Sequence, residues 1–172
     1  MINEEPGYEM YGRSATPKNG KINLRPWNSQ TPDTLVPTFW TAVTAGGYVM
    51  WGHYDTYEMD DPLPGMKRTP TPKYLKILHD FVAAIPYWEM EPANELVSPN
   101  EVEFEGKPYR MNFCLAKPGE IYLIFSLNGG NLTVDLASGG SYRATQMDPR
   151  TGEKTDLGVL DSGNQEISLF FP

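Results

Sequence analysis

A short apolar run between two helix-like segments constrains the fold of this chain most. The run follows the pair Gly46-Gly47, occupies Tyr48 to Trp51 and leads into Gly52-His53-Tyr54-Asp55. Its length and apolar character indicate a buried strand. The segments 33–45 and 72–85 on either side predict helices. A strand between helices is typical of α/β folds, in which binding groups gather where strands end. We therefore expect the polar residues after this run to face a ligand.

The first helix, predicted over 33–45, has two possible starts. Thr31 is a suitable N-cap with Pro32 at the first helical position, and Asp33 could cap a later start. Pro37 favours the later start, because proline is tolerated near the first turn and not deep inside a helix. The glycine pair after Ala45 predicts the end of the helix.

The second helix, predicted over 72–85, has the clearest helical periodicity. Its apolar side chains recur at three- and four-residue steps and form one stripe. A proline lies at its start, and Pro86 should end it. His79 falls off the stripe, so we expect it to be solvated. The stripe consists of Tyr74, Leu75, Leu78, Phe81, Val82 and Ile85.

After about residue 97 the pattern changes to short alternating runs separated by turn signals. Such spacing without a helix is typical of an antiparallel β-sandwich. We therefore divide the chain into 1–97, an α/β part, and 98–172, a sandwich. Leu132, Val134 and Leu136 should point inward, as should Ile167, Leu169 and Phe171. The predicted strands are 109–116, 120–127, 132–136, 142–147 and 166–171, and the turns lie at 117–119, 128–130, 138–140, 148–152 and 161–164.

The charge balance disfavours several classes of partner. Asp plus Glu number 22 against 14 Lys plus Arg, a net charge of −8, and the basic residues form no block. Nucleic acids and anionic membranes are therefore poor partners. No apolar run approaches the roughly 20 residues that span a bilayer, and the N-terminus does not resemble a secretion signal.

The sequence predicts neither a metal site nor a cofactor. The single cysteine, Cys114, excludes an internal disulfide and lies in an alternating apolar run, so we expect a buried thiol without a chemical role. The acidic residues Asp55, Glu58, Asp60 and Asp61 do not have the spacing of a calcium-binding EF-hand.

Two N-terminal features are candidates for a site. Pro6 biases the preceding residue toward an extended conformation, which places Glu4 and Glu5 at the end of a short extended segment. The alternative is a frayed acidic terminus. The long loop over 11–32 contains Trp27, which could line a cleft, although an anchoring role for its ring is the stronger expectation.

The order of these segments resembles the C-terminal portion of apiosidase-like (β/α)₈ glycoside hydrolases. The stretch Asn3 to Glu9 is similar to the seventh-strand motif of that family, and the helix and strand from Phe39 to His53 resemble its last helix-to-strand turn. The strands around Asp148-Pro149-Arg150-Thr151-Gly152 resemble the small C-terminal β-domain of a type labelled collagen-binding. The resemblance implies a fragment of a (β/α)₈ barrel followed by a small antiparallel β-sandwich.

The resemblance also implies a retaining two-carboxylate mechanism, in which one carboxylate attacks the anomeric carbon and a second protonates the leaving oxygen. The family pattern matches Glu5 as the nucleophile, with Glu4 as the runner-up. Tyr8 could hydrogen-bond the nucleophile. Trp51, His53 and Tyr54 would line the sugar subsite from the eighth strand, with Trp27 as a further contact. The implied substrate is a plant or microbial oligo- or polysaccharide, and the parent enzyme is expected to be secreted or periplasmic.

One departure from the family pattern limits this expectation. The acid/base carboxylate of such barrels follows an asparagine on the fourth strand, whereas this chain begins at the seventh. The pair Asn94-Glu95 lies in the connector after the barrel segment and is not a candidate. We therefore expect a C-terminal fragment that is inactive alone and needs the missing N-terminal barrel portion.

Two other interpretations remain open from the sequence. The chain could be a non-catalytic module that binds carbohydrate or another protein through its β-domain. It could also be a free-standing small α/β protein in which Glu5 and His53 are structural. The ring-bearing residues Trp27, Trp51, Tyr54 and Tyr57 suit sugar contact and equally suit a core or a lid.

Overall fold

A computed structural model describes residues 31–53 and 69–170, together with the backbone of 2–3 and 8–9; for His53 and Phe104 the backbone alone is described. These residues form mostly antiparallel sheet with few helices. The helices are α1 (Pro32–Thr44) and α2 (Thr71–Ala83), and short 3₁₀ turns occupy Tyr87–Glu89 and Asn94–Leu96. The strands are β1 (Ile2–Asn3), β2 (Tyr8–Glu9), β3 (Tyr48–Val49), β4 (Gly52–His53), β5 (Glu91–Pro92), β6 (Val97–Ser98), β7 (Glu101–Phe104), β8 (Lys107–Arg110), β9 (Asn112–Lys117), β10 (Ile121–Ser126), β11 (Gly130–Met147) and β12 (Lys154–Leu169).

Helix α1 takes the earlier of its two predicted starts. Thr31 is the N-cap: its hydroxyl accepts a hydrogen bond from the Thr34 N–H, and the Thr34 hydroxyl oxygen accepts one from the Thr31 N–H. This reciprocal pair satisfies two N–H groups at the helix start. The inference drawn from Pro37 was therefore wrong, since this proline lies inside the helix. Its ring removes the hydrogen bond to the Asp33 carbonyl, which lies in the exposed first turn.

Helix α2 confirms the predicted helical stripe. Leu78 is buried, and the other stripe residues pack partly buried against the same core cluster. The helix begins at Thr71 and ends at Ala83, two residues before Ile85. His79 is 79 % exposed, as its position off the stripe predicts. Among the residues that the structure describes, neither helix is long and apolar enough to cross a membrane.

Two three-stranded antiparallel sheets follow the helices. One has the strand order β10-β9-β5, and the other has the order β12-β11-β6; β7 and β8 form a separate hairpin. The predicted strand 109–116 is divided between β8 and β9. The predicted turn at 117–119 is present, with the Glu120 N–H donating to the Lys117 carbonyl over 3.0 Å.

The segments 138–140 and 161–164 were predicted as turns and are instead parts of one long hairpin. Strands β11 and β12 pair continuously except for irregularities between Leu136 and Ser141 and between Ala144 and Thr145. The two glycine-containing segments lie opposite each other, because Leu136 pairs with Gly163 and Ser141 with Asp161. Their glycines accommodate a bulge and do not reverse the chain. The strand over 154–160 was not predicted.

The sheet containing β9 is buried on both faces. Leu115 contacts a core cluster formed with the two helices, which includes Leu35, Phe39 and Trp40. Its neighbours Cys114 and Ala116 contact a second cluster, shared with the β11–β12 hairpin. The described chain therefore has three layers: helices, the β9 sheet and the β11–β12 sheet. The predicted inward positions Leu132, Val134 and Leu136 are buried in the second cluster, and Ile167 and Leu169 pack against it; Phe171 lies outside the described residues.

The first core cluster crosses the predicted boundary at residue 97. Trp40 of α1 contacts Phe81 of α2 with ring centroids 5.3 Å apart, and it stacks on Phe125 of β10 at 6.1 Å. The tip of the β11–β12 hairpin also reaches the helices, since Arg150 Nε lies 3.6 Å from Asp33 Oδ1 and Gly152 abuts Ile77. The division into 1–97 and 98–172 stays a prediction.

Candidate strand-end site

The N-terminal strands β1 and β2 pair in parallel with β3 and β4, which follow α1 in the sequence. In the first pair, Ile2 lies opposite Tyr48 and Asn3 opposite Val49. In the second, Tyr8 lies opposite Gly52 and Glu9 opposite His53. Parallel neighbours need a crossover connection, usually through a helix, and α1 lies between these strands in the sequence. The backbones of Tyr8 and His53 therefore lie at adjoining ladder positions.

The two faces of the segment 48–51 have different surroundings. Tyr48 and Met50 are 58 % and 56 % exposed. Val49 and Trp51 pack partly buried against the core cluster that contains the helices. This alternation follows from the two-residue period of extended backbone. One face therefore carries large apolar side chains that are more than half exposed.

The predicted site residues differ in how much the structure says of them. Glu4, Glu5, Trp27 and Tyr54 lie outside the described residues, and for Tyr8 and His53 the backbone alone is described. Trp51 is half-buried on the helix side of the segment 48–51, between β3 and β4. Their assignment as nucleophile and sugar contacts stays a prediction.

Tyr87 holds the start of the strand segment in place, a role that the sequence did not predict. Its hydroxyl lies 3.0 Å from the Val43 carbonyl oxygen and 2.5 Å from that of Gly47, and it donates to these oxygens. Its ring makes an edge contact with Tyr48 at 5.8 Å. Burial raises the pKa of Tyr87, with a smaller contribution from Tyr48, so the hydroxyl keeps its proton. In the sequence, the only indication of this anchoring role is that the tyrosine follows a proline.

The Asn94-Glu95 pair belongs to the connection between layers. Asn94 Oδ1 accepts a hydrogen bond of 2.9 Å from the Cys114 N–H, and the Asn94 carbonyl accepts one from Asn100. Glu95 therefore follows an asparagine that fixes the connector to β9.

Several charged groups in the rest of the described chain form surface pairs. Hydrogen bonding to Lys117 lowers the pKa of Glu89, and bonds to Glu120 and Glu89 raise the pKa of Lys117. The backbone N–H of Gly158, followed by Arg143, lowers the pKa of Asp156. Among residues 31–53 and 69–170, no group of three or more His, Cys, Asp or Glu side chains could hold a metal ion. These pairs support the surface and do not form a second candidate centre.

Solved structures share this fold, whereas no protein-family model and no curated protein sequence matches the chain. A structure described as a glycoside hydrolase superposes with a TM-score of 0.67 at 14 % identity, over 81 % of this chain and 34 % of that one. A glycoside hydrolase family 5 structure from Bacteroides vulgatus ATCC 8482 has a TM-score of 0.64 at 17 % identity, over 81 % and 33 %. The chain thus spans about a third of the length of these glycoside hydrolases, and what it shares with them is a fold.

Proposed function

We propose that this chain is the C-terminal part of a retaining glycoside hydrolase, that it carries the nucleophile of the reaction, and that it is inactive alone. The observation that carries the proposal is the parallel pairing of β1 with β3 and of β2 with β4 around α1. This is the arrangement expected of the last two strands of a (β/α)₈ barrel. The fold likeness to glycoside hydrolases over a third of their length supports it.

The exposed face of the strand segment is a further support. In a closed barrel, side chains that point away from the helices fill the barrel interior. Tyr48 and Met50 occupy that face here and are more than half exposed. They are the kind of side chain that six further strands would cover. The β-domain would be the sandwich of the type labelled collagen-binding that the Asp148–Gly152 hairpin suggests.

In this proposal Glu5 attacks the anomeric carbon and forms a glycosyl-enzyme intermediate that water then hydrolyses. Tyr8, three residues after Glu5 in the sequence, would hydrogen-bond the nucleophile and favour its ionised form. Trp51, His53, Tyr54 and Trp27 would contact the sugar. The acid/base carboxylate would come from the missing barrel portion, and no cofactor would take part. The substrate class is a plant or microbial polysaccharide.

The coding sequence upstream of the Met1 codon tests the fragment proposal directly. An open frame that encodes six further strand–helix units is expected, whereas a stop codon in frame immediately upstream would overturn the proposal. The chain as it stands should not hydrolyse aryl glycosides above background, and Glu5→Gln should leave that background unchanged. Turnover by the chain alone would show that its site is complete.

The identity of the nucleophile can be tested in the complete frame. Replacing a retaining nucleophile by alanine leaves a space in which added azide can attack the anomeric carbon. Glu5→Ala should lose activity by at least about 10³-fold and recover turnover with azide, giving a glycosyl azide of inverted configuration. Glu4→Ala is the matched control. Azide rescue in the Glu4 variant instead would assign the role to Glu4.

A carbohydrate-binding module is the second candidate function, and Trp88 favours it. This ring is 76 % exposed, although tryptophan usually buries most of its surface. It is held in the 3₁₀ turn next to the anchored Tyr87, and Glu89 beside it is fixed by Lys117 at 2.8 Å. A fixed, exposed ring suits stacking on the apolar face of a sugar.

Affinity electrophoresis separates this second function from the first. Plant polysaccharide in the gel should retard the chain, and Trp88→Ala should abolish the retardation, while Tyr109→Ala, at another exposed ring, should not. Equal mobility with and without every polysaccharide tested would leave Trp88 without a sugar-binding role.

A further inference from the structure

The turn between β10 and β11 contains a dipeptide with a chemistry of its own. Residues 127–129 connect β10, in the β9 sheet, to β11, in the hairpin sheet, and Asn128 is followed directly by Gly129. The backbone nitrogen after an asparagine can attack the carbonyl carbon of that side chain, and a glycine nitrogen is the least hindered because glycine has no Cβ. Among the described asparagines, Asn128 alone precedes a glycine.

Neither reacting group is held by a strong hydrogen bond. Asn128 is exposed, and among the residues that the structure describes its side chain has one hydrogen-bond partner, the Met111 sulfur, 4.0 Å from Nδ2. A thioether is a weak acceptor. No described group accepts a hydrogen bond from the Gly129 N–H. The Asn128 side chain and the Gly129 nitrogen can therefore approach each other without the loss of a strong contact.

The backbone of the turn is adaptable as well. Gly129 and Gly130 have φ of +61° and +85°, in a region that glycine enters freely and other residues rarely adopt. The Gly129 carbonyl accepts a bond of 3.4 Å from the Ser126 hydroxyl, which is longer than a usual O–H···O bond. Two successive glycines and one long hydrogen bond leave the main chain free to take the conformation that ring closure requires.

Other described asparagines lack this combination. Asn94 Oδ1 accepts a hydrogen bond from the Cys114 N–H, and Asn131 Oδ1 accepts one of 2.8 Å from the Ser168 hydroxyl. Asn112 is buried. Each of these three asparagines is followed by a residue with a large side chain, which hinders attack by the next backbone nitrogen.

We propose that Asn128 is a site of spontaneous deamidation through a cyclic imide. The Gly129 nitrogen loses its proton to solvent base and bonds to Asn128 Cγ, and the side-chain nitrogen takes a proton and leaves as ammonia. Water then opens the ring at either carbonyl, which gives aspartate or isoaspartate. One water is consumed and one ammonia is released for each residue converted, without an oxidant or an enzyme. This proposal is independent of glycoside hydrolysis.

The position of the turn gives the modification a structural effect. Ser126 is the last residue of β10 that pairs with β9, and Gly130 is the first residue of β11 that pairs with β12. Isoaspartate routes the main chain through the side-chain carbon and so adds a methylene between these two ladder ends. Aged chain that contains isoaspartate should therefore have a lower urea midpoint than Asn128→Asp, which adds the charge alone. Equal midpoints would refute this effect.

Peptide mapping tests the proposal at single residues. The chain is kept in warm, mildly alkaline buffer and digested with trypsin, which releases the peptide 111–143 because the Lys117–Pro118 bond resists cleavage. Fragment masses locate each conversion of amide to acid. Asn128 should convert within about tenfold of its rate in the free peptide acetyl-Phe-Ser-Leu-Asn-Gly-Gly-amide. Asn112 and Asn131, in the same tryptic peptide, should convert at least about tenfold more slowly than Asn128.

Variants complete the test. Asn128→Gln should slow conversion within 111–143 at least about tenfold, because the longer side chain must close a larger ring. Asn164→Gln, at another exposed asparagine, is the matched control and should leave the rate at Asn128 unchanged; circular dichroism checks the fold of both. The pair Asn19-Gly20 lies in a different tryptic peptide and is counted separately.

Two outcomes would overturn the proposal. One is conversion of Asn128 more than about tenfold slower in the folded chain than in the free peptide, which would show that the fold protects the turn. The other is conversion within 111–143 that continues at the unsubstituted rate in Asn128→Gln.

Discussion

At the scale of single residues, the buried Tyr87 and the half-buried Asn94 connect parts of the chain that are distant in sequence. Tyr87 donates to carbonyls that end α1 and precede β3. Asn94 Oδ1 accepts a hydrogen bond from the Cys114 N–H. Neither contact follows from a local pattern, because a hydrogen-bond partner 20 to 44 positions away depends on the assembled layers. The burial of Cys114, by contrast, follows from the alternating apolar run around it and is confirmed.

Tyr87→Phe should destabilise the chain while preserving its packing. The substitution removes one donor and leaves the buried Val43 and Gly47 carbonyls without it, which costs about 1–2 kcal/mol. Urea denaturation measures the difference. Tyr109→Phe is the matched control, since that ring is 54 % exposed. Equal losses in the two variants would contradict an anchoring role for the Tyr87 hydroxyl.

The Cys114 thiol should make stability depend on alkaline pH. Burial, followed by the nearby Glu95 charge, raises the pKa of this thiol from 9.0 to about 12. Above pH 9 the unfolded chain loses this proton while the folded chain keeps it, so stability falls as pH rises toward 12, by up to about 1.4 kcal/mol per pH unit. This contribution is fully present below pH 9.

Comparison with Cys114→Ala isolates that contribution. The stability advantage of the unsubstituted chain over Cys114→Ala should shrink by roughly 2 kcal/mol between pH 8 and pH 10.5. The advantage over Leu115→Val, a buried neighbour that does not titrate, should stay constant. Measurements by urea denaturation at each pH that give parallel curves for all three proteins would refute the assignment.

At the scale of elements, periodicity predicted the helices and most strands, and turn chemistry predicted too many turns. The glycines of 138–140 and 161–164 are compatible with a chain reversal, yet they lie opposite each other in one hairpin. A turn and a bulge both use glycine at positive φ, and Gly139 and Gly163 have φ of +106° and +89°. Only the pairing partner distinguishes the two, and a single sequence does not contain it.

The start of α1 gives a test at this scale. Thr31→Ala removes the hydroxyl that accepts the Thr34 N–H, and loss of such a cap costs about 1 kcal/mol. Thr38→Ala is the control, because the Thr38 hydroxyl bonds the Thr34 carbonyl within the helix and caps nothing. A drop in the urea midpoint confined to Thr31→Ala is expected. An equal drop in both would show that the cap is not the cause.

At the scale of the whole molecule, the helices and the β9 sheet share one core cluster. Leu115 and Leu123 lie in it beside Leu35 and Phe39. The change of sequence pattern near residue 97 predicts two domains, whereas a shared core favours one cooperative unit.

The site, like the domain division, could be predicted from the sequence only in part. The strand Tyr48–Val49 follows from composition, but its parallel partner Ile2–Asn3 is distant in the sequence, and the roles of Glu5 and Tyr54 rest on resemblance.

Urea unfolding monitored by two spectroscopic signals distinguishes one cooperative unit from two. All four tryptophans precede residue 97, so their fluorescence reports unfolding of the first part of the chain. Far-ultraviolet circular dichroism at roughly 215 nm, where β-strands absorb, reports mainly unfolding of the second part. The two urea transitions should coincide, and residues 98–172 alone should expose Leu115 and Leu123 and bind a hydrophobic dye. Two separate transitions would restore the predicted boundary as a boundary between independent domains.

Burial of β9 on both faces has a consequence for how its sequence can vary. Cys114 and Ala116 are small and face the hairpin layer, whereas Leu115 is large and faces the helices, and all three are at most 1 % exposed. Substitutions that accumulate in β9 during evolution should therefore preserve a small-large-small order of side-chain volume. In β11, where Leu132 and Val134 are buried and Thr133 between them is not, every second position is open to polar replacement.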